Sequence, residues 1–155
     1  MNTDLILDLD RNRARLAAAF AADPAALDRP YAPGKWTGRQ MLFHIVDCES
    51  AFLDRLKRAL ADAKPLLWAL DPDRWNARLT PPERSLMVAR DLQLAQRAAI
   101  CELLCTVTDA EWERTAVHSE AGMLTVATIG HKVVSHASHH LDQVEAAIQG
   151  RIWTP

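Results

Sequence analysis

His136-Ala137-Ser138-His139-His140-Leu141-Asp142-Gln143, near the end of the 155-residue chain, decides how the rest is read. Ile129 and Val133 before it, and Val144 and Ile148 after it, recur with His136 and His140 at spacings of three and four. That is the period of one helical face turned toward a core. His136 and His140 are one turn apart, so their rings lie side by side on that face. Each imidazole carries a donor and an acceptor that must find partners in an apolar setting. Two arrangements would supply them: bonds to carbonyls or water within a core, or shared binding of one divalent ion. Two imidazoles a turn apart can reach a single ion at about 2.0–2.1 Å.

Working outward, Thr125 caps the start of this helix and Gly150 stops it just past Gln149. Thr108-Asp109-Ala110-Glu111 is a capping box opening a short turn through Trp112, and His118 to Gly122 reads as a loop. Thr80-Pro81-Pro82-Glu83 is read as another capping box, opening a helix that runs to about Val107. Two apolar stripes on it (Val88, Leu92, Ala95, Ala99, Leu103; Leu94, Ala98, Cys101, Cys105) place that helix in the middle of a bundle, with both cysteines as small core residues. Thr37 and Gln40 form a capping box for a helix reaching about Ala61, with Trp36 stapling its opening. Residues 1–20 read as a first helix, with Leu5, Leu9, Leu16, Ala19 and Phe20 on one side and pairs Asp8–Arg11 and Asp10–Arg13 elsewhere. Residues 22–35, with three prolines and a glycine, read as a loop. Residues 62–80 read as a longer one, ordered by Trp68 and Trp75, which either pin it to the core or line a substrate site. No alternating strand pattern is evident. Four long helices make an all-α four-helix bundle in a single domain, an architecture that builds cofactor sites from facing core side chains.

Composition narrows the function classes. Apolar residues at 49% and charged residues at 25% describe an ordinary globular chain. A formal charge of −2 with no basic block gives nucleic acid no electrostatic footprint. No apolar run approaches the roughly 18 residues of a membrane span, and Met1-Asn2-Thr3-Asp4-Leu5 lacks a secretory signature. The odd count of three cysteines (Cys48, Cys101, Cys105) suits a reducing compartment, so a cytoplasmic location is expected.

A histidine pair on one helix needs a third ligand from a facing helix to make a three-nitrogen set with an open position. His44 is the remaining histidine that lies within another long helix, on the face of Met41 and Cys48. His131, five residues before His136, is about 140° round the helix and is expected to point away. His139 reads as a surface residue or as support for a ligand, Asp47 and Glu49 as candidates to orient an imidazole, and Cys48 as a rival ligand. Asp142 and Glu145 read as the solvated face of the last helix.

Trp36-Thr37 followed by His44, then Glu111-Trp112, the Gly122–Thr125 approach to the last helix, and His136-x3-His140-x2-Gln143 together resemble the DinB/YfiT-like family of small helical-bundle proteins. The resemblance spans about residues 30–150. It implies a divalent metal, zinc or nickel, held by His44, His136 and His140, with His139 and Gln143 matching the family's flanking positions. It also implies a thiol-dependent S-transferase that joins a low-molecular-weight thiol (bacillithiol, mycothiol or glutathione) to an electrophile, with metal-dependent hydrolysis or a non-catalytic metal-containing stress-response protein as alternatives. Homodimers are a further implication. The residues themselves admit either chemistry, since an open dication favours a bound thiolate or a deprotonated water.

Overall fold

The computed structural model describes residues 3–154. Four long helices dominate: α1 (Thr3–Phe20), α3 (Gly38–Ala61), α5 (Leu86–Thr106) and α7 (Val126–Ile148). Short helices α2 (Pro24–Leu27), α4 (Pro72–Leu79) and α6 (Asp109–Trp112) lie in the connections, with strands β1 (Leu66–Leu67), β2 (Thr115–His118) and β3 (Gly122–Thr125).

The caps explain most boundaries. Thr37 Oγ1 accepts from Gln40 N while Gln40 Oε1 accepts from Thr37 N, so α3 starts on a closed capping box. Thr108 and Glu111 repeat the device at α6. Thr125 caps α7, which ends in a Schellman turn: Arg151 N donates to Ala146 O, Gly150 N to Ala147 O, and Gly150 sits at φ 65°.

Two expected boundaries shift. Thr80 does not open a helix. It closes α4, and α5 begins six residues later with Ser85 as its cap. The Thr80–Glu83 pattern is therefore a turn, with two prolines setting the chain for α5 rather than starting it. Residues 62–80 are not an irregular loop either. β1 pairs parallel to β2, β2 antiparallel to β3, and Asp71 caps α4. Strands of two to four residues are too short to show alternation. Trp68, 76% exposed, does not pin this segment, while Trp75 is 37% exposed. Bonds to its backbone hold it: Ser119 Oγ accepts from Ala69 N, Arg55 Nη2 donates to Trp68 O, and Arg84 Nη1 donates to Leu79 O.

Around the bundle α1 touches α5 and α7, and α3 touches α5 and α7, so α1 faces α3 and α5 faces α7 across the diagonals. The α1–α3 and α5–α7 connections therefore cross the bundle. This order sets α3 beside α7. Apolar packing forms two main groups. One contains Leu9, Phe52, Leu56, Ile100, Leu104 and Val133. The other contains Leu16, Met41, Leu42, Ile45, Leu141 and Val144. On α7 His136 and His140 fall between the two groups in sequence, and on α3 His44 lies at the end of the second group, one turn before Cys48 of the first.

The face of α5 is reversed from expectation. Its inward side is Ala89, Gln93, Gln96, Arg97, Ile100 and Leu104. Val88, Leu92 and Leu94 are exposed, as is Cys105, while Cys101 is half-buried. Two of the polar residues there are tied to α3. Arg97, 1% exposed, reaches Glu49, 2% exposed, through Nε to Oε1 at 2.6 Å and Nη2 to Oε2 at 2.8 Å. Gln96 Nε2 bonds Ser50 Oγ. A guanidinium–carboxylate fork tolerates burial that an unpaired charge would not.

Candidate metal centre

On α3, His44, Cys48, Phe52 and Arg55 follow one another by four, four and three residues. On α7, Thr128, Lys132, His136 and His140 do so by fours. Both rows line one cleft of ≈ 1070 Å³. The β1–α4 segment and the β2–β3 hairpin form its outer wall, through Leu70 and Leu124 among others.

At the inner end three imidazoles meet. His44 Nε2 lies 3.2 Å from His136 Nε2. The His140 ring is centred 4.7 Å from that of His44 and 4.4 Å from that of His136. Trp36 and Phe52 close the cluster edge-on, against His44 at 5.2 Å and His136 at 5.4 Å. Burial, reinforced by His140 and His44, pushes His136 down to about 2. Burial pushes His140 down to about 4 against the opposing bond from Gln143. Burial also lowers His44, with Asp47 opposing. Neutral imidazole is the form that binds metal.

The protons can be placed. His140 Nδ1–H donates to Gln143 Oε1 at 2.7 Å, which leaves the His140 Nε2 lone pair free to face inward. Gln143 Nε2 in turn donates to His139 Nε2 at 3.4 Å. His139 is exposed, with its ring against Trp153 at 5.1 Å. The histidine before the last expected ligand thus steadies the amide that steadies that ligand.

Cys48 Sγ is 3.7 Å from the His44 ring nitrogens. Burial, with Asp47 next to it, pushes the thiol up to about 12. His44, Cys48 and His136 offer ligand atoms within 4.8 Å of one another and could hold a metal ion. The 3.2 Å between the two Nε2 atoms also fits the geometry: ligands at about 2.0–2.1 Å in a tetrahedron stand about 3.3 Å apart.

Several expected roles change. Asp47 and Glu49 do not orient an imidazole. Each is taken by an arginine, Arg84 and Arg97 respectively, and Gln143 does the orienting on His140. His131 does not turn away from the site. It stands exposed on the cleft rim, because the cleft is wide enough to take in residues well round the helix. His118 ends β2, where Nδ1 accepts from the amides of Glu120 and Ala121, and it too lines the cleft. Asp142 and Glu145 are partly exposed but engaged, both by Arg15 of α1, at 2.6 and 2.8 Å. Arg55 and Lys132 were not singled out from the sequence. Their spacing from Phe52 and His136 on the histidine faces is the signal that finds them.

A helical bundle with crossed connections and imidazoles from two adjacent helices converging in a cleft defines a class of protein, and the comparisons agree with it. Residues 8–144 match the DinB superfamily, and the chain belongs to that superfamily. A Bacillus licheniformis relative, provisionally named a metal-dependent hydrolase, is 30% identical over 136 residues, covering 84% of this chain and 74% of its own. YfiT of Bacillus subtilis, with the same provisional assignment and a four-helix bundle of unusual topology, superimposes with a TM-score of 0.77 at 25% identity. That match covers 98% of this chain and 88% of YfiT. A mycothiol-dependent maleylpyruvate isomerase shares the fold alone, at TM-score 0.69 and 10% identity over 98% of this chain and 62% of the isomerase. No described helix is long and apolar enough to cross a membrane.

Proposed function

We propose that His44, His136 and His140 hold one divalent ion, zinc or nickel, and that the protein is a thiol S-transferase working in the cleft around it. The observation that carries this reading is the 3.2 Å approach of two neutral Nε2 atoms beside a third imidazole whose proton is fixed on Nδ1. A hydrogen bond between two neutral rings explains the approach but not the third ring. Imidazole suits both metals. When bound, the ion supplies a Lewis acid that favours the deprotonated form of a thiol or a water.

The chain's own residues favour the thiol. Hydrolysis calls for a general base within hydrogen-bond reach of the attacking water. Asp47 and Glu49, the carboxylates nearest in sequence, are bound by arginines, and Asp73 and Glu120 stand exposed in the cleft lining. A thiol is far more acidic than water, so at the ion it gives its proton to solvent with less help from a base. The cleft is at the upper end of ordinary ligand sites, with room for a low-molecular-weight thiol and an electrophile together. The provisional assignments of the relatives support hydrolysis as the second reading.

Elemental analysis should find about one ion per chain, mostly lost in His44→Ala and His136→Ala, and kept in Cys48→Ala. Full occupancy after both histidine substitutions would refute the ligand set. Loss in Cys48→Ala would instead make Cys48 a closing ligand and point to a structural ion. In cobalt-substituted protein a thiol should produce a sulfur-to-metal band, and transfer to a simple electrophile should need both metal and thiol and vanish in His140→Ala. Metal-dependent ester or amide hydrolysis without thiol would favour the second reading.

We further propose a homodimer formed by the outward face of α5. Met87, Val88, Leu92 and Leu94 are exposed there, and Ala95 and Ala98 between them leave room for a second helix to approach. Asp91 and Glu102 are the charges on that arc, and its 21 residues extend about 30 Å. A second copy matches it in chemistry and length. Sedimentation at micromolar concentration showing only a 17.3 kDa species would refute this.

A further inference from the structure

The cleft contains a cation that the metal centre does not account for and that the fold engages through one nitrogen. Arg55 lies on the same row of α3 as His44, Cys48 and Phe52, and it lines the cleft beside them. Phe52 stands between it and the histidines. The Arg55 guanidinium carbon is 5.6 Å from the Phe52 ring centre, and that centre is 5.4 Å from the His136 ring, so the charge lies within about 11 Å of His136. Among the described residues Arg55 makes no ion pair, although Asp54 is its neighbour in sequence. Asp54 is bound by Arg58 instead. One nitrogen, Nη2, donates to the Trp68 carbonyl at 2.6 Å, which fixes the plane of the guanidinium.

Arg15 of α1, Arg84 of the α4–α5 turn and Arg97 of α5 each bind carboxylates of a neighbouring helix. Arg55 is half-buried without one. Burial lowers its pKa, and Cys48 and Asp54 offset that loss of water only in part. An oriented, partly dehydrated guanidinium is a ready receptor for a planar anion, because its fork matches a carboxylate in shape. The aromatic ring beside it is an apolar floor for the chain that joins the anion to the metal-binding end.

We propose that Arg55 binds a carboxylate of the substrate, and that the cleft selects molecules carrying a metal-binding group and a carboxylate separated by a short apolar spacer. The assignment rests on the reading that this cleft is the substrate site. Lys132, one turn before His136 and exposed, adds positive potential on the α7 side without a fixed geometry. Asp73 and Glu120, on the outer wall, disfavour a second negative group there.

The test uses matched pairs of mercapto-acids and mercapto-alcohols, from propyl to octyl, titrated calorimetrically into the metal-loaded and the chelator-treated protein. With the metal-loaded protein, the acid of the best-fitting length should bind about ten-fold tighter than its alcohol or more, the worth of a charge-assisted bond. The ratio should fall to about one in Arg55→Met and survive in part in Arg55→Lys, which keeps the charge but not the fork. Lys132→Ala should change it less. If Arg55 only tethered the Trp68 carbonyl, Arg55→Met would weaken acid and alcohol alike and leave the ratio unchanged. An unchanged ratio in Arg55→Met, a ratio near one in the unsubstituted protein, or no binding by any pair overturns the proposal. Failure of the metal reading shows separately: chelation would then leave the affinity for both members unaltered while their ratio still reported on Arg55.

Discussion

Mild acid should destabilise the metal-free protein through the histidine cluster. Unfolded histidines titrate near about 6.5. In the fold His140 is pushed down to about 4 and His136 to about 2, with burial the main cause in both. Below about 6.5 the unfolded chain therefore takes up protons that the folded chain refuses, and stability falls with pH. The loss continues down through about 4 for His140 and further for His136. At pH 5 each ring that stays neutral forfeits about 2 kcal/mol relative to pH 7, so the two together forfeit about 4 kcal/mol. That is a large share of the roughly 5–15 kcal/mol typical of a domain. Urea unfolding in the presence of a chelator, at pH 7 and at pH 5, measures it. His136→Leu and His140→Leu should each remove about 2 kcal/mol of the difference, and what remains belongs to His44, which burial lowers in the same sense. Other groups cancel in that comparison. Glu111, held below its usual range by the Thr108 amide and hydroxyl, costs stability only at lower pH, and Glu49, raised by burial, acts in the opposite sense. A pH dependence in the doubly substituted protein not reduced by about 4 kcal/mol would refute the reasoning.

Three further outcomes are expected. Arg97→Met, which leaves the Glu49 carboxylate buried and unpaired, should cost about 3–5 kcal/mol, with much of it recovered when Glu49→Leu is added; a loss under about 1 kcal/mol in denaturant titration would contradict the buried pair. Gln143→Leu, which frees His140 Nδ1, should weaken metal binding about 10- to 100-fold in chelator competition, and unchanged affinity would remove Gln143 from the site. Gly150→Ala should lower stability by about 1–2 kcal/mol, because φ at this turn is 65°; a raised melting temperature would count against the strain.

The parts of the fold legible in the sequence are those written in local chemistry. The caps at Thr37, Thr108 and Thr125 and the stop at Gly150 each satisfy helix-end groups with neighbours in the chain, so composition at fixed offsets reveals them. The Thr80 box has the same pattern and a different outcome. A capping pattern states what a helix end would accept; it does not force a helix to begin. The inward face of α5 was hidden for another reason. Apolar periodicity cannot anticipate that Arg97 and Glu49 neutralise each other across two helices 48 residues apart in sequence. The sheet was hidden because β1 is two residues long and owes its existence to β2.

The centre shows the same division. The His136–His140 spacing reports on one helix and could be read directly. His44 carries no such local signal, and it meets His136 because the crossed connections put α3 beside α7. Asp47 and Glu49 were misread as orienting groups since sequence proximity to His44 says nothing of the arginines waiting on the α4–α5 turn and on α5. Their capture has a chemical consequence. It leaves the imidazoles with an amide, not a carboxylate, as the oxygen partner of His140. An amide fixes the tautomer without adding negative charge, so an ion held by three neutral rings would keep its full double charge for whatever enters the cleft. Cys48, whose thiol lies with His44 and His136 in one ligand-sized group, is the side chain that would spend that charge in advance, and metal retention in Cys48→Ala decides whether it does. A site arranged in this way draws its anion from solution, and a soft thiolate from a small thiol is the partner that the proposed chemistry requires.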